Sequence, residues 1–207
     1  MVQVAQVVVT IILGYFIGTI PTGYLVAKAR GVNIQQAGSG NIGATNVLRT
    51  LGALPAVIVV MADPLKGAIA TLIPTLVGVG TWGIALVGLA TVLGNNFNVL
   101  LGLRGGKGIA TSIGVFLIID PLITAMCVGL GVFTILISRT VSLGSLVGLA
   151  SLPLFVLAKG NFAVANLVLA VALTSLALVR HRDNIRRLLN GTERRLGERP
   201  RVKHKTD

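Results

Sequence analysis

Residues 53–78 read ALPAVIVVMADPLKGAIATLIPTLVG, and Asp63 and Lys66 carry the only charges in this run. An α-helix rises about 1.5 Å per residue, so about 20 apolar residues cross the hydrocarbon core of a bilayer. Charged side chains inside such a span are costly and are usually paired or functional. Asp63 and Lys66 lie three residues apart, on one side of a helical turn. The run is therefore predicted to be a transmembrane helix in which these two residues form a structural ion pair.

Similar apolar segments lie on both sides of this span, in a chain of 207 residues that is 54% hydrophobic and only 12% charged. Soluble domains carry about a quarter charged residues, so this composition indicates an integral membrane protein. The other segments are residues 3–27, 81–93, 109–119, 122–138, 142–158 and 161–179. We predict an all-α protein with seven transmembrane helices, forming one membrane-embedded domain over residues 1–207. The segments 81–93 and 109–119 are too short to cross alone, so short or broken helices are expected around residues 94–108. Five spans are the alternative if the short segments are re-entrant.

The basic residues indicate the orientation of these spans. Ten of the eighteen Lys and Arg residues follow residue 179, after the last apolar segment. With seven spans, the loops on the same side hold Lys28, Arg30, Arg49, Arg104, Lys107 and Arg139, whereas the other side holds almost nothing basic except Lys159. Because cytoplasmic loops are enriched in Lys and Arg, we expect the N-terminus outside and a basic cytoplasmic tail over about residues 180–207.

The same composition excludes several classes of function. The basic tail contains no aromatic residue, so its charge is expected to meet anionic lipid and no nucleic acid. Cys127 is the only cysteine, and no group of His, Cys, Asp and Glu has the spacing of a metal site. The chain therefore offers neither a disulfide framework nor a metal centre.

The first polar loop lies between two apolar segments and reads GSGNIGATN over residues 38–46, followed by Arg49. Glycines allow tight turns and close approach of backbone N–H groups to a ligand. The Ser, Thr and Asn side chains add short donors, and the guanidinium of Arg49 matches two phosphate oxygens. This loop is predicted to bind an oxyanion at the membrane surface.

The second polar loop reads GLRGGKG over residues 102–108. It is not a Walker A motif, because Gly108 stands where the Ser or Thr that holds magnesium would follow the lysine. The N–H groups of Gly105, Gly106 and Gly108 and the ammonium of Lys107 nevertheless favour an anion at the start of the next helix. The alternative is a flexible turn that carries two orienting charges.

The third polar segment follows the last span and reads RHRDNIRR over residues 180–187. His181 and Asn184 would share one face of a helix, which favours a proton carrier or a phosphate donor, while most of the arginines are expected to be solvated. Ser142 and Ser145 also share a face, and a helix-capping role is favoured for Ser142.

These segments closely resemble, in order and spacing, the three motifs of the bacterial acyl-phosphate-dependent glycerol-3-phosphate acyltransferases, the PlsY family. Residues 38–52 match the first motif, 94–114 the second and 180–197 the third. The resemblance implies a seven-helix protein of the bacterial inner membrane whose active site faces the cytoplasm. It implies transfer of a fatty acyl group from acyl phosphate to the 1-hydroxyl of glycerol 3-phosphate, giving lysophosphatidic acid and phosphate for phospholipid synthesis. Acyl phosphate, glycerol 3-phosphate and the bilayer are then the expected partners of a monomer that needs no cofactor.

The resemblance also assigns roles to particular residues. The expected catalytic residues are Ser39, Arg49, Lys107, His181 and Asn184. The expected substrate-binding residues are Gly38, Gly40, Asn41, Gly43, Thr45, Asn46, Asn96, Arg104, Gly105, Gly106, Gly108, Ser142 and Ser145. Glu193 joins Asp63 and Lys66 in a structural role. Because acyl phosphate is already activated, the site is expected mainly to position two anionic substrates, with the attacking hydroxyl passing its proton to the departing phosphate.

One position departs from the family pattern: the second motif usually reads Gly-His-Asn-Phe, and this chain has Gly94-Asn95-Asn96-Phe97. Asn95 can form hydrogen bonds but cannot carry a proton, so a catalytically impaired family member is one alternative. A small transporter of phosphate-containing anions or lipids is the other alternative. Clustering of the polar residues on one face speaks against it, because a transporter needs access from both sides.

Overall fold

The computed structural model describes residues 2–198, which form eleven α-helices and one short 3₁₀-helix, with no strand among them. The helices are α1 (Val2–Gly18), α2 (Thr22–Lys28), α3 (Ala44–Leu51), α4 (Ala53–Val77), α5 (Gly80–Asn96), α6 (Ile109–Ile119), α7 (Pro121–Ser138), α8 (Val141–Ala150), α9 (Leu152–Ala158), α10 (Val164–Arg180) and α11 (Arg182–Leu189), and the 3₁₀-helix is Val99–Leu101. The basic tail is described only as far as residue 198.

Five stretches are long and apolar enough to cross a membrane, namely Val2–Lys28, Ala53–Val77, Gly80–Leu101, Pro121–Ser138 and Val141–Ala158. A sixth is obtained if α10 and α11, which meet at an angle of 65°, count as one broken span. Helix α6 has 11 residues and is about 16 Å long, about half of a hydrocarbon core. The all-α membrane architecture is thus confirmed, and the described residues give five or six spans by length. The third span is longer than the apolar segment 81–93, since α5 runs to Asn96.

The polar loops gather at one end of the bundle. Gln35 Nε2 donates to Arg104 O (3.1 Å), and Leu196 N donates to Arg139 O (2.7 Å), so loops distant in sequence contact each other there. At the other end, Asp120 accepts a hydrogen bond from Ile123 N (3.1 Å), caps α7 and pairs with Lys159. Asp120 and Pro121 thus mark the turn between α6 and α7.

Two apolar clusters support this arrangement. The larger lies among α5 to α10 and includes Phe116, Leu169 and Leu173. The smaller lies beneath the first polar loop and contains Ala27, Ile34, Ile42, Val47, Ala56 and Val59. The smaller cluster anchors the first loop, because apolar side chains on both sides of the loop are buried in it.

Candidate functional site

The first polar loop is organised by the side chain of Asn46, which is 2% exposed. Its Oδ1 accepts a hydrogen bond from Ser39 N (2.9 Å), and its Nδ2 donates to Ala37 O (3.0 Å) and Asn41 O (2.8 Å). Gly38 adopts φ +61°, and a Cβ there would lie 2.2 Å from Asn46 Oδ1, so only glycine fits. The sequence placed Asn46 among the substrate-binding residues, but in the structure its amide holds the loop together.

Two of the three glycine N–H groups of this loop are used in the same way. Gly40 N donates to Ala37 O (2.9 Å), and Gly43 N donates to Asn41 Oδ1 (2.8 Å). The groups left to meet a ligand include side chains: Ser39 is exposed, and neither its hydroxyl nor that of Thr45 is hydrogen-bonded to any residue from 2 to 198. The loop therefore presents Ser39 on a backbone that is already closed.

The second polar loop folds back onto the end of α5. Gly105 N donates to Asn96 O (3.2 Å), and Gly106 N donates to Asn95 O (2.9 Å). These two N–H groups were expected to bind an anion, but α5 carbonyls already occupy them. Gly108 N has no acceptor among the described residues, and it lies beside Lys107 at the start of α6. Anion recognition by this loop therefore centres on Lys107 and the amino end of α6.

The third polar segment surrounds Glu193. Its carboxylate accepts hydrogen bonds from Ser142 Oγ (2.9 Å), Asn184 Nδ2 (2.7 Å) and Arg187 Nε (2.6 Å). The structural role expected for Glu193 fits these contacts. Ser142 does not cap α8, because Thr140 occupies the N-cap position and the Ser142 hydroxyl faces Glu193. Arg187, which was expected to be solvated, is an ion-pair partner.

The second and third segments meet through Lys107, whose Nζ donates to Asn184 Oδ1. The first joins them through Arg49, whose Nη2 donates to Arg194 O (3.4 Å), next to Glu193 in the chain. The convergence of the three polar segments, which the sequence analysis expected, is thus present in the fold.

His181 lies at the break between α10 and α11 and is 3% exposed. Its Nδ1 contacts Ala177 O at 2.8 Å, and because a carbonyl only accepts, Nδ1 carries the proton and Nε2 is left as an acceptor. His181 and Asn184 do not share a continuous helix as expected, since a 65° bend separates α10 from α11. Burial, with the charge of Lys107, lowers the pKa of His181 to about 4, so its ring is neutral near pH 7.

The site carries an excess of positive charge. Burial, followed by the charges of Arg187, Arg180 and Arg49, lowers the pKa of Lys107 to about 8 against the opposite effect of Glu193. Burial and the charge of Arg194 also lower the pKa of Arg49. Burial alone would raise the pKa of Glu193, yet the hydrogen bonds from Arg187, Asn184 and Ser142 hold it below its ordinary value. Cations that repel one another in this way fit a site for an anionic ligand.

The remaining predicted residues lie at the margins of this cluster. Ser145 is half-buried on α8, and Arg104 is exposed with its carbonyl bound to Gln35. Asn96 is fully buried; its Oδ1 accepts from Asn95 Nδ2 (3.2 Å), and its Nδ2 has no partner among residues 2–198.

Arg180 was not among the residues predicted from the sequence. Its guanidinium donates to the carbonyls of Gly105 (3.2 Å) and Gly106 (3.0 Å) and lies 5.4 Å from the centre of the Phe97 ring. An arginine at the last turn of an apolar helix, directly before His181, was the available signal. Arg180 thus supports the loop that carries Lys107.

The known proteins that this chain resembles share one description. The family model described as glycerol-3-phosphate acyltransferase matches residues 8–191. A glycerol-3-phosphate acyltransferase of Thermus thermophilus is 46% identical over 192 residues, covering 92% of this chain and 95% of the relative. One of Clostridioides difficile is 42% identical over 202 residues, covering 95% and 98% of the two chains.

Two crystal structures of PlsY, an integral membrane glycerol 3-phosphate acyltransferase, share the fold. The glycerol 3-phosphate form superimposes with a TM-score of 0.89 at 39% identity and covers 92% of this chain and 96% of that one. The lysophosphatidic acid form gives a TM-score of 0.86 at the same 39% identity, covering 92% and 95%.

Proposed function

The chain belongs to the glycerol-3-phosphate acyltransferase family, and from this premise we propose that it uses acyl phosphate as the acyl donor at a cytoplasmic site. The 1-hydroxyl oxygen of glycerol 3-phosphate attacks the acyl carbon. The bond from that carbon to the phosphate oxygen breaks, and the hydroxyl proton leaves on inorganic phosphate. The products are lysophosphatidic acid and phosphate.

One observation carries this proposal: Lys107, Asn184 and Glu193 form a continuous hydrogen-bonded chain beside Arg49. Residues from all three polar segments thereby surround one small, positively charged region. A phosphate monoester has two negative charges near pH 7 and matches such a region.

The contacts of the two cations support their assignment. Lys107 is half-buried, and we assign it to the phosphate of glycerol 3-phosphate together with Arg49. Glu193 holds the Asn184 amide in a fixed orientation, so that Asn184 places the Lys107 ammonium. The neutral His181 offers Nε2 as an acceptor for a glycerol hydroxyl, which would orient the attacking oxygen.

Ser39 is assigned to the donor. It is exposed on the closed first loop, where its hydroxyl can donate to the acyl phosphate and Asn41 Nδ2 can assist. The donor is already activated by its phosphate leaving group, so no side-chain base of high pKa is needed. The low pKa of His181 agrees with a role in orientation rather than in proton removal.

Asn95 lies outside this cluster. Its side chain is 4% exposed and faces Lys66 of α4, and it has no hydrogen bond to Lys107, His181 or Asn184. This placement supports an active enzyme rather than an impaired one.

For the topology we propose seven spans, with α6 as the short one, an outside N-terminus and a cytoplasmic C-terminus in the bacterial inner membrane. The segregation of Lys28, Arg30, Arg139 and the two basic loops to the site end of the bundle supports this orientation. We further propose that the monomer is active, since all three polar segments of the site come from one chain.

Purified protein in detergent, given labelled glycerol 3-phosphate with either acyl phosphate or acyl coenzyme A, tests the donor. We expect lysophosphatidic acid from acyl phosphate alone. Product from the thioester at a similar rate would contradict the donor assignment. With the protein reconstituted into vesicles, uptake of label without product would favour the transporter.

A further inference from the structure

Lys66 lies in the middle of α4, is 5% exposed, and takes no part in the cluster described above. Its Nζ lies 2.8 Å from Asp63 Oδ1, which confirms the expected ion pair. The same nitrogen donates to Ile20 O (3.0 Å) and Asn95 Oδ1 (2.8 Å). A simple intrahelical pair would need only Asp63, so the other two contacts connect α4 to the break between α1 and α2 and to α5.

The contact with Ile20 has a clear origin. Thr19 and Ile20 lie at the break between α1 and α2, so their carbonyls receive no donor from four residues further on, and Ile20 O accepts instead from Thr22 N (3.1 Å). Thr19 O accepts from Asn98 Nδ2 (2.6 Å), and Ile20 O accepts from Lys66. The ammonium therefore joins the broken first span to the end of α5.

Asn95 contacts both Lys66 and the second polar loop. Its side chain accepts from Lys66, and its own carbonyl accepts from Gly106 N (2.9 Å). A Cβ on Gly105 would lie 1.9 Å from Asn95 O, so the loop backbone packs directly on this residue. Gly106 immediately precedes Lys107, which makes the path from Lys66 to Lys107 a series of direct contacts.

The loop is also held from its other side. Arg180 donates to the carbonyls of Gly105 and Gly106, so Gly106 is bonded at both its N–H and its C=O. Beyond the loop, α6 packs tightly on α4, where a Cβ on Gly114 would lie 1.8 Å from Pro64 O. Helix α4 thus contacts Asn95, which supports the loop before Lys107, and also α6, which begins after Lys107.

We propose that Lys66, acting through Asn95, is a positioning residue that sets the place of the Lys107 ammonium against the phosphate of glycerol 3-phosphate. The inference rests on the proposed function, because it takes Lys107 as the phosphate contact. It assigns to a charged pair deep in the membrane a role in substrate affinity, although neither residue touches substrate.

The kinetic signature separates positioning from simple structural support. A displaced Lys107 weakens phosphate binding, so the KM for glycerol 3-phosphate rises in enzyme that is still folded. A purely structural role would lower the folded fraction, and with it the apparent kcat, while KM stays constant.

The test uses the full-length protein in detergent with acyl phosphate saturating. We expect Asn95→Ala to raise the KM for glycerol 3-phosphate about tenfold, with kcat reduced less than about threefold. Asn95→His should restore the KM, because a neutral ring nitrogen can accept from Lys66. The double variant Asp63→Leu, Lys66→Met removes both charges together, avoids an unpaired buried charge, and should raise the KM as Asn95→Ala does.

Thr71→Val is the matched control. Thr71 is fully buried on α4, and its hydroxyl bonds only to Gly67 O (2.9 Å), so this change loosens α4 without touching the loop. An unchanged KM in Asn95→Ala, an equal rise in Thr71→Val, or no recovery in Asn95→His would each overturn the inference.

Calorimetric titration with glycerol 3-phosphate alone separates this inference from the proposed function. Wild-type turnover with acyl phosphate tests the function, whereas the ratio of affinities between Asn95→Ala and wild type tests the positioning without turnover. Equal affinities would overturn the positioning role even in an active enzyme, and an inactive wild type that binds glycerol 3-phosphate would overturn only the donor assignment.

Discussion

Lys107 Nζ donates a hydrogen bond to Asn184 Oδ1, although 77 residues separate the two in the chain. Asn184 Nδ2 donates in turn to Glu193 (2.7 Å), so the ammonium and the carboxylate are linked through one amide without forming an ion pair. Lys107 therefore keeps its charge available for a ligand while its position is fixed.

Replacing Arg49 tests the anion site directly. A charge-assisted hydrogen bond to phosphate contributes about 1.5–3 kcal/mol, so Arg49→Ala should lower kcat/KM for glycerol 3-phosphate by about tenfold to a hundredfold. Arg30→Ala is the control, because Arg30 is exposed at the same end of the bundle and its side chain bonds to no described residue. Near-normal kinetics for Arg49→Ala would contradict the assignment of Arg49 to the phosphate of glycerol 3-phosphate.

The pH dependence of kcat/KM should reflect the titration of Lys107. Its pKa of about 8, lowered first by burial, means that the free enzyme loses this cation as pH rises through that value. Since kcat/KM follows the free enzyme, it should fall above about pH 8. In Lys107→Arg the fall should move above about pH 10, because guanidinium stays charged. An alkaline limb that is the same in both proteins would assign the titration to another group.

Glu193 should stabilise the fold in a pH-dependent way. Its folded-state pKa lies below the ordinary 4.5, so its contribution is present above that value and is lost as pH falls through the lowered pKa. The side chain of Arg187 is 41% exposed, which reduces the contribution of that pair. We expect Glu193→Gln to lower the free energy of unfolding by about 1–2 kcal/mol at pH 7, measured by thermal unfolding in detergent.

Glu198→Gln serves as the comparison for that variant, because Glu198 is exposed and accepts only from Arg195 N (3.2 Å). The difference in the free energy of unfolding between wild type and Glu193→Gln should become smaller below pH 4.5. A constant difference across the acid range would show that the carboxylate charge is not what stabilises the segment.

Asn95→His tests whether the site lacks a base. Because Asn95 faces Lys66 and not the cluster around Lys107, we expect turnover to stay within a factor of about three of wild type. A large gain in turnover would mean that a histidine at this position reaches the reacting groups, contrary to the placement of Asn95 here.

The membrane helices could be predicted because hydropathy is a local property of the sequence, and all the apolar segments became helices. The convergence of the three polar segments could be predicted from charge, since Arg49, Lys107 and the third segment were expected on one side of the bilayer. Hydrogen-bond partners could not be predicted, because they depend on helix packing. The amide of Asn46 and the N–H groups of Gly105 and Gly106 are typical of ligand contacts in a sequence, yet the fold uses them internally. The pairing of Lys66 with its helical neighbour Asp63 could be predicted. Its contacts with Ile20 and Asn95 could not, because these residues lie 46 and 29 positions away in the chain.

The closure of the first loop by Asn46 has a consequence for binding. Fixing a backbone residue in one conformation costs about 1–2 kcal/mol of conformational entropy, and in a flexible loop that cost falls on every binding event. Here the bonds of Asn46 to Ser39, Ala37 and Asn41 already impose the conformation in the absence of ligand. The cost is incurred once, when the chain folds, and a ligand of this loop meets a preorganised surface that need not be reassembled in each binding event.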